Sequence, residues 1–109
     1  MRIKIHKDIW EIKLTDRNKK KMNPGRGRYN LGLTEYDKLR INIRKGLPES
    51  VTRSTVIHEL THVFQFSYSN QVEGEEQMCD FFGAHGDEII SLTDQFMKEV
   101  FDHADNGRN

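Results

Sequence analysis

The sequence predicts an α+β fold in which a small N-terminal antiparallel sheet packs on two main helices. Two periodicities and one ordering carry this expectation. Before residue 46 apolar residues alternate with polar ones, as on a half-buried strand; after residue 47 they recur three and four apart, as on the buried stripe of a helix. All strand-like segments come first and all helix-like segments follow, the order of an α+β domain rather than of repeated βαβ units.

Taken in order, Ile3, Ile5, Ile9, Trp10, Ile12 and Leu14 sit mostly two apart between polar neighbours, with an interruption near Lys7 and Asp8. Residues 16–28 are polar and rich in Pro and Gly, and read as a long loop. Tyr29, Leu31 and Leu33 alternate, and so do Leu39, Ile41 and Ile43, across a short polar step from Thr34 to Lys38; the pair reads as a hairpin. Pro48 or Ser50 suits the start of a first helix, on which Val56, Leu60, Val63 and Phe64 share one face. Ser69 and Asn70 make a break. In the second helix Met78, Phe82, His85, Ile89, Leu92, Phe96 and Val100 form the stripe expected to face the core. Gly83 and Gly86 inside it suggest a kink or a close neighbour, and the chain after Asp102 loses all apolar pattern.

The length of 109 residues fits a single domain spanning 1–109, with a sheet region at 1–46, a first helix region at 47–68 and a second at 72–102. Seventeen Lys+Arg balance 17 Asp+Glu. That balance argues against a chain built mainly to coat nucleic acid or an anionic membrane. The lone Cys79 cannot form an internal disulfide, and no stretch reads as a signal peptide or membrane span, so a cytoplasmic setting is expected. Cys79 itself reads as a packed, inert thiol. The zero charge is an average: residues 17–28 hold six basic side chains and no acid, while acids cluster from Glu73 to Asp80. The basic run reads first as a solvated, mobile loop, with collection of an acidic substrate or contact with nucleic acid as alternatives.

The first helix contains His58-Glu59-Leu60-Thr61-His62, a match to His-Glu-x-x-His. Residues four apart lie one turn above each other, so both imidazoles reach one metal ion, and zinc accepts such nitrogen ligands. Glu59 projects from the same turn, where a carboxylate takes a proton from an activated water. The apolar neighbours Val56, Ile57, Val63 and Phe64 suggest that part of the motif faces the interior.

A catalytic zinc site takes a third protein ligand and keeps one position open. The metzincin pattern would place Gly at 65 and His at 68, where this chain has Gln65 and Tyr68. The second helix offers Glu76, with Asp80 four residues on to accept the outer N–H of a ligand histidine. Glu75, Glu73 and His85 are the alternatives for the third ligand, His85 standing in register with apolar residues.

His-Glu-x-x-His followed by Glu-x-x-x-Asp resembles the gluzincin group of zinc metallopeptidases. More narrowly, Glu76-Gln-Met-Cys79-Asp80-Phe-Phe82-Gly83 is similar to the second motif of the compact ImmA/IrrE-type metallopeptidases of phages and bacteria. The resemblance covers about residues 29–85. Cys79 stands where that family commonly has Ala and Asp80 where it commonly has Asn, and the spacer from His62 to Glu76 is short. It implies a minimal zincin-like domain with His58, His62 and Glu76 as zinc ligands and Glu59 as general base. The activity it implies is zinc-dependent hydrolysis of peptide bonds, with a protein or peptide substrate and a specificity-giving protein partner in view. The alternative is a zinc-stabilised binding or regulatory domain without turnover. Tyr68, His85, His103 and Tyr29 are the residue types available to stabilise an oxyanion. The edge of the strand Leu39–Arg44 is the expected place for an extended peptide to pair.

Overall fold

A computed structural model describes residues 1–68 and 72–102. It has strands β1 (Arg2–Ile5), β2 (Asp8–Thr15), β3 (Gly32–Glu35) and β4 (Arg40–Arg44), then helices α1 (Glu49–Ser67) and α2 (Glu75–Met97), which runs on into a π-turn at Lys98–Asp102. The α+β layout is therefore as expected. The break near Lys7 is a tight turn with His6 at φ 55°, and β1 pairs antiparallel with β2, Ile5 facing Asp8. The Leu31–Ile43 hairpin is also present: β3 and β4 pair antiparallel through a 3-10 turn at Tyr36–Lys38, and Leu39 leaves it at φ 50°.

The sheet is mixed rather than wholly antiparallel. Its strand order is β1-β2-β4-β3, and the central β2–β4 pair is parallel, with Ile12 opposite Ile41 and Leu14 opposite Ile43. Parallel neighbours need a long connection. Here residues 16–31 and the β3–β4 hairpin supply it, so β4 enters between β2 and β3. Alternation of apolar residues reports which face is buried and carries no information about strand direction.

Side-chain alternation sorts the sheet into two faces. Ile3, Ile5, Trp10, Ile12, Ile41 and Ile43 point to the helices and are buried with Val56, Leu60, Val63 and Phe64 of α1. Asn42 points the other way yet is fully buried, beneath the loop of residues 16–31. It accepts from Thr15 Oγ1 at 2.8 Å and donates to Leu33 O at 3.2 Å and Glu35 Oε1 at 2.8 Å. The loop is thus pinned, not free. Met22 is fully buried, Asn23 Nδ2 donates to Arg17 O and Lys19 O, and Arg44 Nη1 donates to Met22 O and Asn23 Oδ1.

Glu35 gathers this polar layer. Its carboxylate accepts from Asn42, Lys21 at 3.1 Å and Lys38 at 3.2 Å, and the Asn42 hydrogen bond, with the two lysines, lowers its pKa from 4.5 to about 2 against the opposing effect of burial. A carboxyl group with a depressed pKa stabilises the fold fully above its unfolded value and loses that contribution as the pH falls. The expected result is about 2 kcal/mol of stability lost between pH 4.5 and about 2. Urea unfolding across that range reads it directly, and Glu35→Gln should flatten the acid limb.

Pro48 occupies the position before α1 and Glu49 begins it, leaving Ser50 inside the helix. At the start of α2, Gly74 adopts φ 106°, a backbone conformation costly for residues with a Cβ. Gln77 Oε1 reaches back to accept the Glu73 N–H at 2.6 Å, satisfying a donor at the helix entrance. The buried stripe of α2 differs from the expected one at its N-terminal half: Phe81 is buried while Met78 and Phe82 are exposed. Adjacent phenylalanines fit a helical period equally well, and burial in the shared core decides between them. Ile89 and Phe96 are buried as expected, and α2 passes unbroken through Gly83 and Gly86. Cys79 is exposed rather than packed. The expected break at Ser69–Asn70 lies outside the described residues.

Candidate metal centre

His58 and His62 project from one side of α1, one turn apart, with their Nε2 atoms 3.2 Å apart and their rings edge to face. Two nitrogen ligands of a tetrahedral zinc ion, each bonded at about 2.05 Å, stand about 3.3 Å apart. The spacing is that of an N–H···N hydrogen bond between the rings and is also compatible with two ligands of one zinc ion. As expected, part of the motif faces the interior, but both imidazoles are exposed. Only Glu59 is turned in. It is 8% exposed, with Oε2 3.9 Å from His58 Nε2 and Oε1 accepting from Thr34 Oγ1 at 2.9 Å.

The helix wheel explains this division. Successive residues turn by about 100°, so Val56, Leu60 and Val63 cluster on the sheet side while His58 and His62 fall on the flank beyond Glu59. That flank faces β3, the edge strand. Gly32 of β3 lies so close to α1 that a Cβ there would stand 2.7 Å from Glu59 Cγ and 2.9 Å from Thr55 Cγ2. Between strand and helix runs an open groove of about 380 Å³ lined by Leu31, Gly32, Ser54, Thr55, His58 and Glu59.

Beyond Thr34 on the same face of the chain comes Tyr36, whose ring lies 4.7 Å from that of Phe66 and 6.1 Å from that of Trp10. Phe66 is one turn past His62 and 54% exposed. Burial raises the Tyr36 phenol above its ordinary pKa, and the negative charge of Glu59 raises it further. A phenol held protonated within the field of Glu59 is a hydrogen-bond donor. Sequence reading passed over Tyr36 because only the strand order shows that β3 is the edge beside the motif.

The second-helix residues stand elsewhere. Glu76 and Asp80 are exposed on α2, as are Glu73 and Glu75 nearby, and among the described residues no three His, Cys, Asp or Glu side chains are gathered as a metal would need. The packing of α2 gives the reason. His85 stacks with Tyr68 at 4.5 Å, Phe81 at 5.2 Å and Phe64 at 5.7 Å. Phe64 follows His62 by two residues, about 200° around the helix, so α2 packs on the flank opposite the groove. Of the residues weighed for an oxyanion, Tyr68 and His85 belong to this stack, Tyr29 lies under the Arg44 guanidinium at 4.8 Å, and His103 is outside the described residues. The strand Leu39–Arg44 is also corrected: β4 is paired on both sides, and the open edge beside the motif is that of β3.

No protein-family model, curated protein or solved structure matches this chain. Among the described residues no helix is long and apolar enough to cross a membrane.

Proposed function

We propose that the protein is a zinc-dependent peptidase working in the groove between α1 and the β3 edge. The observation that carries the reading is the His58–His62 pair, its Nε2 atoms 3.2 Å apart, with the buried Glu59 carboxylate alongside. In this reading His58 and His62 would hold zinc, while Glu76 and Asp80, which the resemblance to gluzincins implies as third ligand and as partner of a ligand imidazole, stand on α2 and are not gathered with the pair. Bound there, zinc supplies a Lewis acid that lowers the pKa of water toward about 7.

The remaining steps belong to the chain itself. Thr34 holds one oxygen of Glu59 and leaves the other on the His58 side, so Glu59 takes a proton from the attacking water and returns it to the leaving amine. An extended peptide adds to the free edge of β3 through main-chain hydrogen bonds, which sets its scissile carbonyl along α1. Tyr36 donates to the developing oxyanion, and the exposed rings of Tyr36 and Phe66 receive an apolar side chain of the substrate.

The exposed position of Glu76 favours a second reading, a zinc-stabilised binding or regulatory domain without turnover. Metal analysis and a peptide-library assay separate the two. The peptidase reading expects one zinc per chain, loss of that zinc in His58→Ala, and hydrolysis that a chelator stops. Zinc without hydrolysis supports the second reading, and absence of stoichiometric zinc removes both.

A further inference from the structure

The fold separates charge that the composition averages to zero. Residues 1–45, which build the sheet and its loops, contain 14 Lys+Arg and 5 Asp+Glu; residues 46–109 contain 3 and 12. The helices cover one face of the sheet, so the cationic layer faces outward on the other. We infer that this outer sheet face, together with the pinned loop of residues 16–31, is a binding surface for the phosphodiester backbone of a nucleic acid.

Alternation places Arg2 and Lys4 on the outer face, because Ile3 and Ile5 are buried in the core. Pairing sets Arg2, Glu11, Arg40 and Glu35 in one row across the four strands. Both acids of that row are already engaged, Glu11 by Arg40 at 3.3 Å and Glu35 by Lys21 and Lys38. Arg2, Lys4, Arg17, Lys20, Arg26 and Arg28 are exposed and have no ion-pair partner among the described residues. Three aspartates of this region, Asp8, Asp16 and Asp37, are also without ion-pair partners among the described residues, but the unpaired cations outnumber them.

Three features point to nucleic acid rather than to another polyanion. The loop backbone is anchored at Met22 and Asn23 by burial and by Arg44, so the positions from which its cations project are set before any ligand arrives. Among the exposed cations, Arg2, Arg17, Arg26 and Arg28 carry a fork of donors that matches phosphate oxygens. Tyr29 is 60% exposed with Arg44 across one side of its ring, leaving an aromatic surface for a base to stack on. A membrane would ask for a broader apolar patch than Ile9 and Tyr29 provide. The cationic sheet face is opposite the helices, meets the groove only at Leu31, and does not depend on the peptidase reading.

The test is fluorescence anisotropy of the full chain with a labelled single-stranded oligodeoxynucleotide of about 20 nucleotides, long enough to track such a face. The same strand as duplex, polyglutamate and phosphatidylserine vesicles serve as the other probes. With about five phosphates contacted, a tenfold rise in salt should weaken single-strand binding by about three orders of magnitude. The triple variant K20E/R26E/R28E should bind at least about tenfold more weakly with a shallower salt slope, while His58→Ala binds like the parent. Circular dichroism establishes that the triple variant is folded. Loss of binding in Tyr29→Ala for the single strand but not the duplex identifies the single strand as the preferred source of the backbone. Polyglutamate or vesicles binding as tightly as the oligonucleotide, or binding that ignores salt or survives in the triple variant, overturns the proposal.

Discussion

Glu59→Gln should lower peptide hydrolysis by about three orders of magnitude while leaving the zinc content unchanged. The substitution is nearly isosteric, and the amide oxygen keeps the acceptor that Thr34 Oγ1 now meets at 2.9 Å. What disappears is the carboxylate oxygen on the His58 side, 3.9 Å from Nε2, and with it the group that takes the proton. The residue is buried at 8% exposure and its replacement has nearly the same shape, so packing is not weakened. Activity and stability should therefore separate: turnover falls, the melting temperature holds. Steady-state kinetics with metal analysis on the same sample reads both. Retention of more than about a tenth of the parent activity excludes Glu59 as the base.

The largest effect on stability is expected at Gly32. A Cβ there would stand 2.7 Å from Glu59 Cγ, 2.9 Å from Thr55 Cγ2 and 3.0 Å from Glu59 Cδ. No exposed, flexible side-chain end can yield: Thr55 is buried, and Glu59 is buried and held by Thr34. Gly32→Val should cost about 3 kcal/mol, because β3 must move away from α1 or Glu59 must leave its place. Either response spoils the groove, so hydrolysis should fall as well. Gly83→Ala is the control. Nothing lies within 4 Å of its added Cβ, and an alanine inside α2 should stabilise the fold by up to about 1 kcal/mol. Equal behaviour of the two variants in urea unfolding would contradict the close approach of β3 to α1.

Much of the fold is legible because local chemistry writes it. Ile3-x-Ile5 and Ile41-x-Ile43 announce strands by a period of two, and Val56, Leu60 and Val63 announce a helix by its own period, since each element must hide one face from water. The break near Lys7 and the β3–β4 hairpin are legible for the same reason. The candidate site is legible only in part. The spacing of His58 and His62 is a property of any helix and brings their Nε2 atoms together without help from the rest of the chain. The role of Glu76 is a different kind of statement, because it depends on how a second helix docks.

Four matters needed tertiary structure: strand direction, the face of α2, the state of the loop and the neighbours of Glu59. The parallel β2–β4 pair depends on β4 entering between β2 and β3, which alternation does not record. Phe81 and Phe82 offer α2 two equivalent registers, and only burial in the shared core selects Phe81. The run from Arg17 to Arg28 looks free as sequence, yet Asn23, Asn30 and Arg44 tie it across the sheet. Thr34, Tyr36 and Gly32 join the motif because β3 is an edge strand, a fact of sheet order.

By itself, then, the sequence determined the α+β class, most of its strand and helix segments and a pair of histidines one turn apart, because each follows from periods shorter than two helical turns. The tertiary structure decided that His58 lines an open groove, that Glu59 is buried against β3, and that α2 packs on the opposite flank. These are relations between residues distant along the chain, set by packing and by which sheet edge is left free, and local patterns hold no record of them.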